Sequence, residues 1–309
     1  MAREEYAAQV ALLVRVLPHV AKEVVFALKG GTAINLFYRD LPRLSVDIDL
    51  TYLPLKNRTE SLKEIDEALS RVAVDIEQTI GDVRVSRIVG GGGMATRLQV
   101  QHGSAKIKIE TSPVLRGVVH NPQTMAVTDA VEDAFGFAEI QVVSFEDLYA
   151  GKIIAALDRQ HPRDLFDIKQ LYENEGLTKE LLRTALVYMA SSNRPAHELL
   201  DPGLSDLTRG FEQEFDGMTR EPVALEDLET ARSNLIRDVR QNLDAAAMDF
   251  LRGLHEGIPD FAAIAYPDAA MLPAVRWKLQ NVIRFKADNP DRHAEQGAAL
   301  EALFTPVES

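Results

Sequence analysis

The sequence predicts an α+β fold: a mixed sheet with helices, followed by an α-helical C-terminal domain. Several short segments of the first half alternate apolar and polar residues, which is the pattern of half-buried strands. From Ser144 onward the apolar residues recur at helical spacing instead. A chain of 309 residues is long enough for two domains. The change of pattern therefore predicts one domain over residues 1–143 and a second over 144–309.

The composition limits the classes of function. The chain has 34 basic and 47 acidic residues, a formal net charge of -13, which argues against general nucleic-acid binding but leaves room for a local basic groove. The chain has no cysteine, so it forms neither disulfides nor thiolate metal sites. Without a long apolar stretch or a hydrophobic signal region, we expect a cytoplasmic protein that does not contact membranes.

The order of elements in the first half follows from the same patterns. Helices are predicted where apolar residues recur every three or four positions, and strands where they alternate or form short apolar runs. The predicted helices cover 3–22, 32–38 and 58–80, and the predicted strands cover 24–28, 44–50, 83–89, 94–101, 105–111 and 140–143. We expect a loop over 114–126. The run Gly90–Gly93 lacks the lysine and hydroxyl residue of a phosphate loop and is interpreted as a hairpin loop.

An acidic strand is the strongest functional signal. Between Leu44 and Leu50 the residues alternate strictly, so Asp47 and Asp49 share one face with Ser45. The two carboxylates would stand roughly 7 Å apart along the strand. They repel each other unless a proton or a cation lies between them, and a hard divalent cation with oxygen ligands fits best. The alternative is a solvated edge strand without a ligand.

A glycine pair precedes the acidic strand and favours the metal-binding interpretation over a solvated edge strand. Gly30 and Gly31 allow close approach of the backbone to a ligand, and Thr32 begins a predicted helix whose N-terminus can meet phosphate groups. Ser45 could donate a hydrogen bond to a phosphate oxygen. Together with the two aspartates, these residues predict a magnesium-dependent site for nucleotidyl transfer.

Glu110 is the candidate third carboxylate of this site. It lies in the predicted strand 105–111, which would bring it to the same metal ions if that strand neighbours the acidic one. Two metal ions about 3.5–4 Å apart stabilise the attacking and leaving oxygens of an in-line displacement. The alternative is an exposed glutamate paired with Lys106 or Lys108.

The second half contributes a lysine and two acids. Lys152 lies among small and apolar residues on a predicted helix, a costly position unless the ammonium meets an anion such as a triphosphate. Asp164 and Asp167 lie near one another on the next helix, and one of them could orient Lys152 or act as a general base. Asp164, at the helix start, is the preferred candidate. The alternatives are a surface lysine and acids that favour the helix dipole.

Histidines do not predict a metal centre. The chain has only seven, and the sequence shows no histidine–carboxylate cluster at zinc-ligand spacing. A zinc site is therefore not expected.

Four motifs in order resemble those of the AbiEii-like nucleotidyltransferase toxins, a family of abortive-infection and toxin–antitoxin systems that includes the mycobacterial MenT toxins. The motifs are Gly30-Gly31-Thr32-Ala33, Arg43-Leu44-Ser45-Val46-Asp47-Ile48-Asp49, Gly151-Lys152-Ile153-Ile154-Ala155 and Pro162-Arg163-Asp164-Leu165-Phe166-Asp167. The resemblance covers about residues 24–172 and implies a polymerase-beta-like nucleotidyltransferase core with a helical C-terminal domain that completes the active site.

The resemblance also implies the roles of the matched residues. Ser45 and Asp47 would belong to the first acidic motif, with Asp49 as the second metal carboxylate. Lys152 would contact the triphosphate, and Asp164 would be the acid of the final motif. Family members use Mg²⁺, which Mn²⁺ can replace, with a nucleoside triphosphate as co-substrate. The implied partners are a cognate antitoxin and an RNA acceptor, most of all the 3′ end of tRNA, whose modification would block translation.

Two other functions stay open at the level of sequence. The same core could transfer a nucleotide to a hydroxyl of a small molecule or a protein, which the net charge slightly favours over RNA. A nucleotidyltransferase-like fold could also bind nucleotide or a partner without turnover. The presence of both Asp47 and Asp49 argues against an inactive enzyme.

Overall fold

The computed structural model describes residues 2–90 and 93–305. The chain divides into two compact units. The first comprises Met1–Ser144 together with Thr219–Glu221, and the second comprises Phe145–Met218 and Pro222–Ser309. Gly91 and Gly92 of the predicted hairpin loop lie outside the described residues. The strands on either side of that run pair antiparallel, as a hairpin requires.

The first unit is built on a seven-stranded mixed sheet. Its strands are β1 Phe26–Lys29, β2 Asp47–Tyr52, β3 Val83–Val89, β4 Ala95–His102, β5 Ala105–Arg116, β6 Gln123–Ala126 and β7 Glu139–Val142. Its helices are α1 Ala2–Ala21, α2 Gly30–Ala33, a π-helical continuation Ile34–Tyr38, α3 Arg58–Thr79 and α4 Asp129–Phe135. The strand order is β3-β4-β5-β2-β1-β7-β6.

The sheet places the acidic strand next to the third strand of the predicted meander. β2 pairs parallel with β5 and antiparallel with β1. Burial along β5 alternates as the sequence predicts, because Ile107 and Ile109 are buried whereas Lys106 and Lys108 are exposed. Apolar residues of α1 and α3 complete the core against the sheet.

The acidic strand is shorter than predicted. It begins at Asp47 and not at Leu44, because the backbone before Asp47 has other partners than a neighbouring strand. The Arg43 guanidinium donates to the carbonyl of Leu44, and the amide of Ser45 donates to the Tyr6 hydroxyl. Ser45 is therefore positioned by hydrogen bonds to the side chains of Tyr6 and Thr32 and not by strand pairing.

The loop predicted over 114–126 is also wrong in part. β5 continues through Pro113 to Arg116, and 123–126 form the edge strand β6. Pro113 belongs to a strand that shifts register against β2 between Leu50 and Tyr52. A proline is tolerated where the ladder is irregular, because it removes one donor from the backbone.

The second unit is helical. Its α-helices are α5 Phe145–Arg159, α6 Pro162–Asn174, α7 Lys179–Met189, α8 Ala196–Leu200, α9 Thr208–Glu214, α10 Leu225–Gln241, α11 Ala245–Glu256, α12 Pro273–Asp288 and α13 Pro290–Phe304, with a 3-10 turn at Pro267–Met271. The predicted α+β class, a mixed sheet followed by helices, is confirmed. None of the helices in the described part of the chain is long and apolar enough to span a membrane.

Candidate active site

The glycine pair at the end of β1 is fixed by what surrounds it. Gly30 has φ +77°, a left-handed conformation that side chains other than glycine rarely adopt. A Cβ on Gly30 would clash with the Asp49 Oδ2 atom. A Cβ on Gly31 would come within 2.6 Å of the Arg43 guanidinium and 2.8 Å of the Ser45 hydroxyl. The two glycines therefore let Asp49 and Ser45 approach the backbone.

The Thr32 hydroxyl joins this backbone to the acidic strand. It donates to the carbonyl of Asp47 at 2.6 Å and lies 3.2 Å from the Ser45 hydroxyl. Thr32 is completely buried, so its side chain fixes the start of β2 and is not exposed to a ligand. Asn35, one turn later, donates to the carbonyl of Gly31 at 2.6 Å.

Four charged residues form a row across four strands. Lys29 on β1 pairs with Asp49 on β2, Asp49 pairs with Glu110 on β5, and Glu110 pairs with Arg97 on β4. Directly paired residues project from the same face of a sheet, and neighbouring strands lie about 4.8 Å apart. The predicted neighbourhood of Asp49 and Glu110 is thus present, with a cation at each end of the row.

Glu110 forms an ion pair with a residue of the neighbouring strand β4. The Arg97 Nε atom lies 3.7 Å from Glu110 Oε1, whereas the alternative drawn from the sequence had paired Glu110 with Lys106 or Lys108. Both side chains are substantially exposed, so this pair contributes little stability and Glu110 can exchange it for another cation.

A cavity of about 500 Å³ opens over this row. Its charged lining consists of Lys29, Asp49, Arg58, Arg97 and Glu110. Three cations beside two carboxylates suit a polyanion that arrives with a divalent metal ion. Of the other predicted residues in this unit, Asp47, Ser45 and the Gly30–Thr32 segment lie outside the lining.

A buried ion cluster in the second unit contains the other predicted residues. The Lys152 ammonium lies 2.9 Å from both Asp164 Oδ1 and Asp167 Oδ2. The Arg159 guanidinium adds hydrogen bonds to Asp164 at 2.6 and 3.1 Å. The two aspartate side chains are 1% exposed. Lys152 therefore meets its anions within its own unit, and Asp167 is as close to it as the preferred Asp164.

The pKa of Asp164 follows from its charged neighbours. Burial by itself would raise its pKa, but the charge of Lys152 and the hydrogen bonds from Arg159 outweigh burial and hold the pKa well below the usual range. Such a carboxylate stays ionised near neutral pH and is a poor proton acceptor. Of its two predicted roles, the orientation of Lys152 therefore fits better than general-base catalysis.

Several residues near the predicted site were not assigned from the sequence. Lys29 and Arg58 need the sheet register and the position of α3 to be recognised. Arg97 is one of 34 basic residues, and its local sequence does not distinguish it from the others. Asn35 is a polar residue on a predicted helix, which usually indicates a solvated face. The signal that could have found Lys29 is its position directly before Gly30.

A comparison with solved structures found a protein of similar fold. Among solved structures, the chain is similar to MenT4, a nucleotidyltransferase toxin from Mycobacterium tuberculosis H37Rv, with 17% sequence identity and a TM-score of 0.60. The similarity covers 97% of this chain and 94% of that one, and at this identity it supports the fold alone. Curated proteins gave no match.

A family model decides the assignment. The model described as "Nucleotidyl transferase AbiEii toxin, Type IV TA system" matches residues 11–281, which include the glycine pair, the acidic strand and the Lys152 cluster. The resemblance found in the four sequence motifs is thereby confirmed, and the match extends well beyond residue 172. The chain belongs to the AbiEii family of nucleotidyltransferase toxins of type IV toxin–antitoxin systems.

Proposed function

We propose that this toxin transfers a nucleoside monophosphate from a nucleoside triphosphate to a hydroxyl group of RNA, with Mg²⁺ or Mn²⁺ as cofactor. The observation that carries the proposal is the pairing of Asp49 with Glu110 on adjacent strands, with Asp47 two residues earlier on the same strand. Asp49 and Glu110 lie in the row beneath the cavity, and Asp47 projects from the same face of the sheet two residues earlier on β2.

The donor set fits the metal. The carboxylates offer only oxygen, the ligand atom that Mg²⁺ and Mn²⁺ prefer, so Asp47, Asp49 and Glu110 are the proposed metal ligands. A bound divalent metal would neutralise the charge that develops on the attacking and leaving oxygens. Glu110 would leave Arg97 to bind it.

The remaining groups of the first unit would bind the triphosphate. Lys29, Arg58 and Arg97 supply positive charge around the cavity, and charge-assisted hydrogen bonds to phosphate are strong. Gly30 and Gly31 would offer backbone amides, with Ser45 beside them. The acceptor oxygen would attack the α-phosphorus, the bond to pyrophosphate would break, and the hydroxyl proton would pass to solvent.

Lys152 and Asp164 are assigned to the same reaction on the family motif. Lys152 would contact the triphosphate, and Asp164 would hold the ammonium charged and oriented. The 3′ end of tRNA is the proposed acceptor because of the resemblance to the MenT toxins. Family membership implies a cognate antitoxin, which we propose to be encoded beside this chain.

A labelling assay tests the proposal. The purified protein is incubated with each of the four labelled nucleoside triphosphates, Mg²⁺ and total tRNA. We expect label on tRNA, and sequencing of the tRNA ends should show added nucleotides. Asp47→Asn and Asp49→Asn, which keep side-chain shape, should abolish labelling, whereas Glu139→Gln on the exposed part of β7 should not.

The outcomes separate the alternatives. Label on a protein or on a small molecule, with none on RNA, would show that the acceptor is not RNA. The net charge of -13 is the observation that favours this alternative. Triphosphate binding without any labelled product, while an active family member works in parallel, would indicate a binding module and overturn the proposal.

A further inference from the structure

A second group of metal-binding side chains lies far from the acidic strand in sequence. His255 and Glu256 end α11, and His293 lies in the first turns of α13. Each offers one ligand atom, and these three atoms lie within 4.8 Å of one another. His255 and His293 are 38 residues apart, which is why no histidine–carboxylate cluster was predicted from spacing. Helix packing in the second unit creates the cluster.

The two imidazoles contact each other, and one of them is hydrogen-bonded to the backbone. Their rings stack with centroids 3.9 Å apart and an interplanar angle of 18°. The Nε2–H group of His293 donates to the carbonyl of His255 at 3.0 Å. A neutral His293 therefore carries its proton on Nε2 and keeps a lone pair on Nδ1. A hydrogen bond from one ring nitrogen to a backbone carbonyl is typical of metal-ligating histidines.

Glu256 completes the set with a carboxylate. Its Oε1 atom lies 3.9 Å from His255 Nε2, and its other oxygen, Oε2, pairs with Lys286 of α12. The lysine thus holds one oxygen of the carboxylate while the other faces the histidine. Hydrogen-bonded carboxylate ligands of this kind keep their orientation when metal binds.

The cluster also has an open side. His255 and His293 contribute to the wall of a cavity of about 250 Å³, which is otherwise lined in part by Leu254, Val282 and Phe285. A metal ion on the two imidazoles would therefore have room for water as a further ligand. Three protein ligands and one open position are the arrangement of zinc sites that exchange ligands.

We propose that His255, Glu256 and His293 bind a transition-metal ion of the zinc class. Two nitrogens and one oxygen suit Zn²⁺ or Co²⁺ better than Mg²⁺, so this site differs in chemistry from the three carboxylates of the sheet. Ligand atoms of a tetrahedral zinc site lie roughly 3.3 Å apart. The three ligand atoms here lie within 4.8 Å of one another, so a bound metal would draw the side chains closer together and link α11 to α13.

The test uses the full chain, stripped of metal with a chelator and kept in excess Mg²⁺ to occupy the carboxylates. We expect Co²⁺ to produce visible absorption bands of a four- or five-coordinate site, with a stoichiometry of one, and Zn²⁺ to displace it. Saturating Zn²⁺ should also raise the midpoint of thermal unfolding, because a ligand that binds only the folded state stabilises it.

Matched variants identify the ligands. Glu256→Gln and His255→Ala should each weaken Co²⁺ binding at least about tenfold, the scale of effects on metal-site shells. His197→Ala removes an imidazole from the wall of the same cavity but not from the cluster, and should bind as the wild type does. Asp49→Asn should also retain the bands, which separates this site from the proposed catalytic one.

Two results would overturn the proposal directly, and a third would place the metal elsewhere. One is a wild-type protein that shows no histidine-dependent Co²⁺ bands. The other is equal binding by wild type and Glu256→Gln, a variant at a partly exposed residue that is not expected to disturb folding. Loss of the bands in Asp49→Asn would likewise assign the metal to the sheet.

Discussion

At the scale of single residues, the position of the Asp49 carboxylate depends on the absence of a side chain at Gly30. Gly30 has a φ of +77°, and a Cβ on this residue would clash with the Asp49 carboxylate. Gly103 also has a positive φ, of +57°, but nothing lies within 4 Å of its Cβ position. A comparison of alanine substitutions at Gly30 and Gly103 therefore separates the cost of backbone strain from the cost of displacing Asp49.

Substitution of Gly30 by alanine should harm both stability and transfer. We expect Gly103→Ala to lower the free energy of unfolding by about 1–2 kcal/mol, the cost of a left-handed conformation. Gly30→Ala should lower it by more, and should also reduce transfer to background because Asp49 must move. Urea unfolding and the tRNA-labelling assay measure the two effects. Equal behaviour of the two variants would show that Asp49 does not need the glycine.

The low pKa of Asp164 makes a prediction about acid stability. Because its folded pKa is depressed below the unfolded value of 3.8, its contribution is fully present above about pH 4 and is lost as the pH falls toward the folded pKa. The difference in unfolding free energy between wild type and Asp164→Asn should thus be constant from pH 7 to 5 and shrink below pH 4. Urea titrations across this range measure it, and a difference that grew in acid would contradict the assignment.

At the scale of elements, one ammonium joins α5 to α6. Lys152 is shared by two aspartates that are each 1% exposed, and removal of one partner from a buried ion cluster leaves charge without compensation. The helix that carries Lys152 is thus stabilised by the residue to which the family motif assigns a catalytic role. Loss of activity in a Lys152 variant has to be read together with its stability.

Lys152→Met should destabilise the protein by about 3–5 kcal/mol, the usual cost of breaking a buried pair. Lys169→Met is the matched control, because Lys169 also lies on this helix pair but forms only a surface pair with Glu173. That control should change the free energy of unfolding by less than about 1 kcal/mol. Unfolding midpoints in urea distinguish the two, and a Lys152→Met protein as stable as the control would refute a structural role for the cluster.

At the scale of the whole molecule, membership of a toxin family predicts growth arrest on expression. If nucleotidyl transfer causes the arrest, Asp47→Asn should relieve it while the protein accumulates to the wild-type level. Growth curves with immunoblots measure both quantities. Arrest that persists in a stably expressed Asp47→Asn variant would show that another activity is toxic. Co-expression of the neighbouring reading frame tests the proposed antitoxin.

The sequence by itself determined the α+β class, most strand and helix positions, and the four motifs in order. Period-two and helical patterns are visible in the local sequence because each strand or helix must bury one face. The sequence likewise shows the alternation around Asp47 and Asp49, the glycine pair and the position of Lys152. The sequence also identified Asp164 and Asp167 as near neighbours on one helix.

Only the tertiary structure decided which of these residues meet. The Lys29–Asp49–Glu110–Arg97 row depends on strand register, a property of long-range pairing that no local pattern contains. The start of β2 at Asp47 depends on the hydrogen bond that the Ser45 amide donates to the hydroxyl of Tyr6, 39 residues earlier. The His255–Glu256–His293 cluster depends on the packing of α11 with α13. In each case the deciding contacts join residues distant in sequence, because burial and pairing in the folded chain place them together.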